Sequence, residues 1–165
     1  METICNSGCS ETNSKLMRKY RISFEIWGLL LFLLIMIPNF IWLAVPAPQD
    51  ILRNESITAP IDAIASVCQI ILIAALCAIV NTEREALRLT PLVLGSIACG
   101  LLYYTGWILY YLGFTKPVVI LLLTVPPCLA FLFFAIDRKN FAAVIPIVIF
   151  SACHLMYGVA NFILH

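Results

Sequence analysis

Charge is what this chain has least of. Ten Lys and Arg stand against nine Asp and Glu in 165 residues, a net charge of +1. That balance supplies neither a basic field for nucleic acid nor an acidic one for basic partners, so no nucleic-acid role is expected. Histidine is rarer still, with only His154 and His165. No second His or acidic residue stands three or four positions from His154, and H-E-x-x-H is missing, so no metal centre is expected. G-x-S-x-G, P-loop and C-x-x-C patterns are also missing, which removes the nucleophile elbow, the phosphate cradle and the dithiol as mechanisms. The expected function is non-enzymatic and free of cofactors, the alternative being an intramembrane enzyme with Asp62 and His154 as acid and base.

Cysteine is not scarce, but it is placed where it does little chemistry. Cys68, Cys77, Cys99, Cys128 and Cys153 fall in apolar stretches, where a thiol packs as a small hydrophobe. Cys5 and Cys9 form a C-x3-C without two further ligands nearby.

What is abundant is apolar surface: 62% of the residues are hydrophobic, far above the balance of a water-soluble domain. Windows of about 19 residues give five candidate spans, at 24–45, 60–80, 91–112, 117–136 and 142–164. The runs are continuous and rich in Leu and Ile, unlike the weakly alternating strands of a barrel, so the fold class is an all-α integral membrane bundle. Residues 1–23 read as a polar, disordered cytoplasmic tail, with Met17 as an alternative start, and 24–165 as the membrane domain. A signal peptide cleaved near LAVPAP is disfavoured, because the apolar core is too long and prolines crowd the site.

Basic residues give the orientation. Lys15, Arg18, Lys19, Arg21, Arg84, Arg88, Arg138 and Lys139 fall on one side, and only Arg53 and Lys116 on the other. By the positive-inside rule the N-terminus is cytoplasmic and His165 outside, in a multi-pass protein of a bacterial-type plasma membrane. ACGLLY at 98–103 and ACHLMY at 152–157 suggest a tandem helical-hairpin repeat of spans two-three and four-five. Asn54-Glu55-Ser56 is formally a glycosylation sequon.

Polar side chains inside spans are costly and turn toward one another or toward a cavity. Asp62, Ser66 and Gln69 form one helical stripe; Ser96, Cys99, Tyr103, Gly106 and Tyr110 form another, with Trp107 beside it. A third is Ser151, His154, Tyr157, Gly158 and Asn161. In the first span, Pro38 denies an amide to the Leu34 carbonyl and Asn39 brings an amide group to that level. These residues predict an outer-half aromatic and polar pocket lined by Asn39, Asp62, Gln69, Tyr103, Trp107, Tyr110, His154, Tyr157 and Asn161, with His154 and Asp62 its titratable pair. The plainer alternatives are dipole complementation for Asp62, an interfacial belt for Trp42, Tyr110, Tyr111 and Tyr157, and interhelical glue for Asn39, Gln69 and Asn161. Pro126-Pro127 and Pro146 are expected to bend or break their helices.

A pocket of this kind implies binding, sensing or transport of a small amphipathic or lipid-like molecule, with membrane lipid as surroundings and partner. The competing class is a structural or accessory subunit whose polar stripes meet partner helices. A homodimer is compatible with so thin a bundle.

Overall fold

A computed structural model describes residues 19–164. The elements are β1 (Tyr20–Ile22), α1 (Ile26–Ala44), a 3-10 turn (Ile51–Arg53), α2 (Ala59–Ala78), β2 (Ile79–Asn81), α3 (Pro91–Tyr111), α4 (Pro117–Asp137) and α5 (Phe141–Phe162). All five helices are long and apolar enough to cross a bilayer, and each lies within about two residues of a span read from the sequence. Their starts follow from local chemistry. Prolines open α2, α3 and α4, where a missing amide costs nothing, and the Thr90 hydroxyl and Asn140 amide oxygen cap α3 and α5 by accepting from Val93 N and Ala143 N. Gly113, at φ 88°, takes the left-handed conformation that lets the chain turn from α3 into α4. Of the bend or break expected at Pro126-Pro127, the break does not occur: α4 is continuous through both prolines.

The reading of 1–18 as a disordered tail lies outside the described residues. Residues 20–22, assigned to the same tail, instead form β1, antiparallel to β2 with Arg21 opposite Val80. Strands of three residues are too short to show an alternating pattern in sequence.

The helices close into a ring. α3 packs on α4, α4 on α5, and α5 on α2, while α2 and α3 scarcely touch; α1 fills the gap by contacting α2, α3 and α4. Apolar residues such as Leu43, Ile70, Leu101 and Ile145 cover the outside, as a surface solvated by acyl chains requires. α1 meets α2 closely at Gly28, where a Cβ would stand 2.7 Å from the Leu76 carbonyl oxygen, so only glycine fits.

The end of the bundle carrying most of the basic residues is sealed by polar groups. Glu25 pairs with Arg84 and lies 3.6 Å from Arg138, with both Glu25 and Arg138 buried. Arg138 also donates to the Glu85 carbonyl at 2.8 Å. Asn140 closes the end of α2 by donating to the carbonyls of Ala75 and Ile79 at 2.9 and 2.8 Å, and the buried Asn81 donates to Lys139 O at 2.8 Å. Burial pulls the Arg84 and Arg138 guanidinium pKa values below the ordinary value, and for Arg84 the nearby Arg138 and Arg21 charges act the same way.

Candidate functional site

The geometry of the opposite half begins at Pro38. Its ring leaves the Leu34 carbonyl without its helical partner, and the Tyr104 hydroxyl of α3 donates to that oxygen at 2.6 Å. One residue on, Asn39 Nδ2 donates to Tyr103 Oη at 2.7 Å and to Ile35 O at 3.2 Å. The interruption in α1 therefore fastens it to α3. Tyr104→Phe is expected to cost about 1 kcal/mol in the native chain and close to nothing in Pro38→Ala, where the backbone amide returns to Leu34. A double-mutant cycle on thermal unfolding in detergent checks this, equal costs in both backgrounds refuting it.

Inside the ring lies a cavity of about 470 Å³, bordered by all five helices and by the loop at 45–58. Its volume falls in the range of small-molecule sites. Seven of the nine residues read from sequence line it: Asn39, Asp62, Gln69, Tyr103, Trp107, His154 and Tyr157. His154 is stacked between Phe150 and Tyr157, ring centroids 5.1 and 6.2 Å away, at interplanar angles of 14° and 11°. The Asp62 carboxylate accepts from the Thr58 hydroxyl at 3.0 Å, and Ser66 donates to the Asp62 carbonyl at 2.8 Å. Among the described residues, Asp62 has no ion pair, and the Gln69 and His154 side chains have no hydrogen-bond partner. Trp107 is buried with its Nε1 unpartnered; the Tyr103 hydroxyl is near, but outside hydrogen-bond geometry. It sits amid aromatic rings, 6.3 Å from Trp42, 6.3 Å from Tyr103 and 5.8 Å from Tyr110.

Two of the nine lie elsewhere. Tyr110 is fully buried beneath the 45–58 loop, donating to Asp50 Oδ1 at 2.9 Å and accepting from Leu52 N at 3.1 Å. Asn161 binds that loop to α5: its Oδ1 accepts from Ile57 N at 2.8 Å, and its Nδ2 donates to Thr58 Oγ1 at 2.8 Å and Tyr157 O at 3.0 Å. Asn161 is thus glue, and Tyr110 is neither pocket wall nor interfacial belt.

The centre of that roof is Asp50, which nothing in the sequence marked. Trp42 Nε1 donates to its two oxygens at 2.8 and 3.0 Å, Arg53 Nε at 2.8 Å, and Ala47 N at 3.4 Å. Arg53 also donates to the last carbonyls of α1, Trp42 O at 2.7 Å and Leu43 O at 3.3 Å, and lies 5.0 Å from the Trp42 ring centroid. Burial is the largest single influence on the Asp50 carboxyl and acts upward. The bonds from Trp42, Tyr110, Arg53 and the Ala47 amide together outweigh it, so its pKa sits below the ordinary 3.8. Thr124, Phe131 and Phe150 are further wall residues that escaped notice as lining groups. A hydroxyl beside two prolines was the available signal for Thr124; the two Phe residues carry none.

The mouth follows from exposure. Wall residues on α3 and α4 are buried, as are Ile35, Ala65, Phe150 and Gly158, whereas Met36 and Asn39 on α1, Ser56 in the loop, Asp62, Ser66 and Gln69 on α2 and His154, Tyr157 and Phe162 on α5 are half-buried or exposed. α1 and α2 are pinned together near the sealed end, with Ser23 N and Glu25 N donating to the Ala78 and Cys77 carbonyls at 3.0 and 2.8 Å. Fold and cavity together define a multi-pass helical membrane bundle with a chamber in one half. No protein-family model, no curated protein and no solved structure matches this chain.

Proposed function

We propose that this protein binds a small amphipathic molecule in the chamber, as a receptor or carrier component of a cell membrane. The observation that carries the reading is a ligand-sized cavity with aromatic and aliphatic walls and a few polar groups: Gln69 and His154, whose side chains have no hydrogen-bond partner among the described residues, and Asp62, which has only the Thr58 hydroxyl and no ion pair. A mouth between α1 and α2, within the level spanned by lipid, suits a molecule that partitions into the bilayer. The orientation that goes with this has the sealed end cytoplasmic and the chamber facing outward, supported by the alternation of basic loops. A reporter fused after His165 and active only outside the cytosol tests it, and activity in the cytosol overturns it. The tandem-repeat reading draws support from the packing of α2 on α5 and α3 on α4, which exchange under such a repeat, although α4 meets α5 while α2 and α3 scarcely touch.

Ser66 faces the mouth and is exposed, so Ser66→Trp closes the entrance without disturbing the core. Native mass spectrometry of the protein purified in mild detergent is expected to find a retained amphiphile at several-fold lower occupancy in that variant. Equal occupancy in both, or no retained molecule beside a stoichiometric membrane subunit, would replace this reading with that of an accessory subunit.

A further inference from the structure

The charge balance of the chamber narrows what it holds. Among the described residues, Asp62 is the one carboxylate on the wall, no Lys or Arg lines it, and the Asp62 side chain meets only the Thr58 hydroxyl. The other carboxylate nearby, Asp50, is fully committed to its roof partners. The wall that carries Asp62 is largely aromatic, with Tyr157, His154, Tyr103 and Trp107 on it. Trp42, also on the wall, already accepts the Arg53 guanidinium near its ring. An unpaired carboxylate in an aromatic, cation-free chamber attracts one chemical class above others, an organic cation whose charge is too bulky or alkylated to be held well by water.

We infer that the ligand is a lipophilic ammonium, its charged head beside Asp62 and the aromatic rings and its apolar tail directed toward Ile35, Phe131 and Phe150. The inference rests on the amphiphile-binding reading and specifies its ligand. Along α2, Asp62 and Gln69 are seven residues apart, about 10 Å of depth at 1.5 Å per residue, which accommodates a short tail. Ammonium groups come both as free cations and on zwitterionic phospholipid headgroups. Among the described residues no Lys or Arg lines the wall to meet a phosphate, so the free cation is the better match.

The test uses four probes of equal chain length: octyltrimethylammonium, octylphosphocholine, octyl sulfate and octanol. Each is titrated below its micellar concentration, or for octanol below its solubility limit, into the full chain in uncharged maltoside micelles, and affinity is taken from the rise in melting temperature. Octyltrimethylammonium is expected to bind about tenfold more tightly than any of the others, and Asp62→Asn, which keeps an acceptor for Thr58, is expected to abolish that preference while leaving octanol unchanged. Tyr157→Leu, removing a ring but no charge, is expected to weaken the ammonium about fivefold and octanol less than twofold, and it serves if Asp62→Asn folds poorly. Octanol or octyl sulfate binding as well as the ammonium, with Ser66→Trp blocking both, overturns the cation inference and leaves amphiphile binding standing. Octylphosphocholine equalling the ammonium reassigns the site to a phospholipid headgroup. Binding of none of the four overturns both readings.

Discussion

Glu25→Ala is expected to destabilise the protein by about 3–5 kcal/mol, because it removes the carboxylate shared by the buried Arg138 and the partly buried Arg84. Glu25 is 4% exposed and Arg138 is 6% exposed, and among the described residues Arg138 Nε already has no acceptor. Losing the carboxylate leaves Arg84 and Arg138 repelling each other at the end of a low-dielectric bundle. The diagnostic comparison is a triple variant, Glu25→Leu with Arg84→Met and Arg138→Met. It is expected to recover most of the loss, since a buried ion cluster replaced by apolar groups of similar volume is often neutral. Thermal unfolding in one detergent measures all three proteins. A triple variant as unstable as Glu25→Ala would show that the charges themselves, rather than their imbalance, hold this end together.

Asp50→Ala comes next, with an expected cost of about 3 kcal/mol, as the Trp42, Tyr110, Arg53 and Ala47 donors lose a charged acceptor simultaneously. Because folding lowers the Asp50 pKa, its contribution to stability is complete at pH values above the ordinary 3.8 and disappears as pH falls through the lowered native value. The stability difference between the native chain and Asp50→Asn should therefore be constant from pH 8 to about pH 5 and shrink only in stronger acid. A difference that declines already between pH 7 and 6 would assign the roof to another titrating group. Loosening the roof exposes the chamber, so Asp50→Ala is also expected to raise labelling of a cysteine placed at position 107.

The parts of this architecture that were legible in the sequence share one cause, the intolerance of hydrocarbon for unpaired polar groups. It made five uninterrupted spans visible, and it placed Asn39, Asp62, Gln69, Tyr103, Trp107, His154 and Tyr157 on inward stripes that line one cavity. It also flagged the Leu34 carbonyl as needing a partner, which Tyr104 provides. What stayed hidden depends on loops and on pairing between distant segments. Tyr110 and Asn161 share the inward stripes, yet the 45–58 loop folds over one and is anchored by the other, a choice that helical spacing cannot encode. Asp50 sits among prolines in what reads as a surface connection, so its role emerges only when Trp42, Arg53 and Tyr110 converge on it. Glu25 carried no mark in the sequence, and its burial depends on Arg84 and Arg138, far away in sequence.

The knot of Glu25, Arg84, Arg138, Asn81 and Asn140 makes the bundle a cup rather than a tube. Under the binding reading proposed above, a vessel closed at that end would fill only through its side mouth, and the chamber by itself would join no path between the two faces of the membrane in this conformation. Converting it into a conveyor would require undoing that base, whereas a role in detection requires only that filling the cup change what the roof or α1 presents to its surroundings.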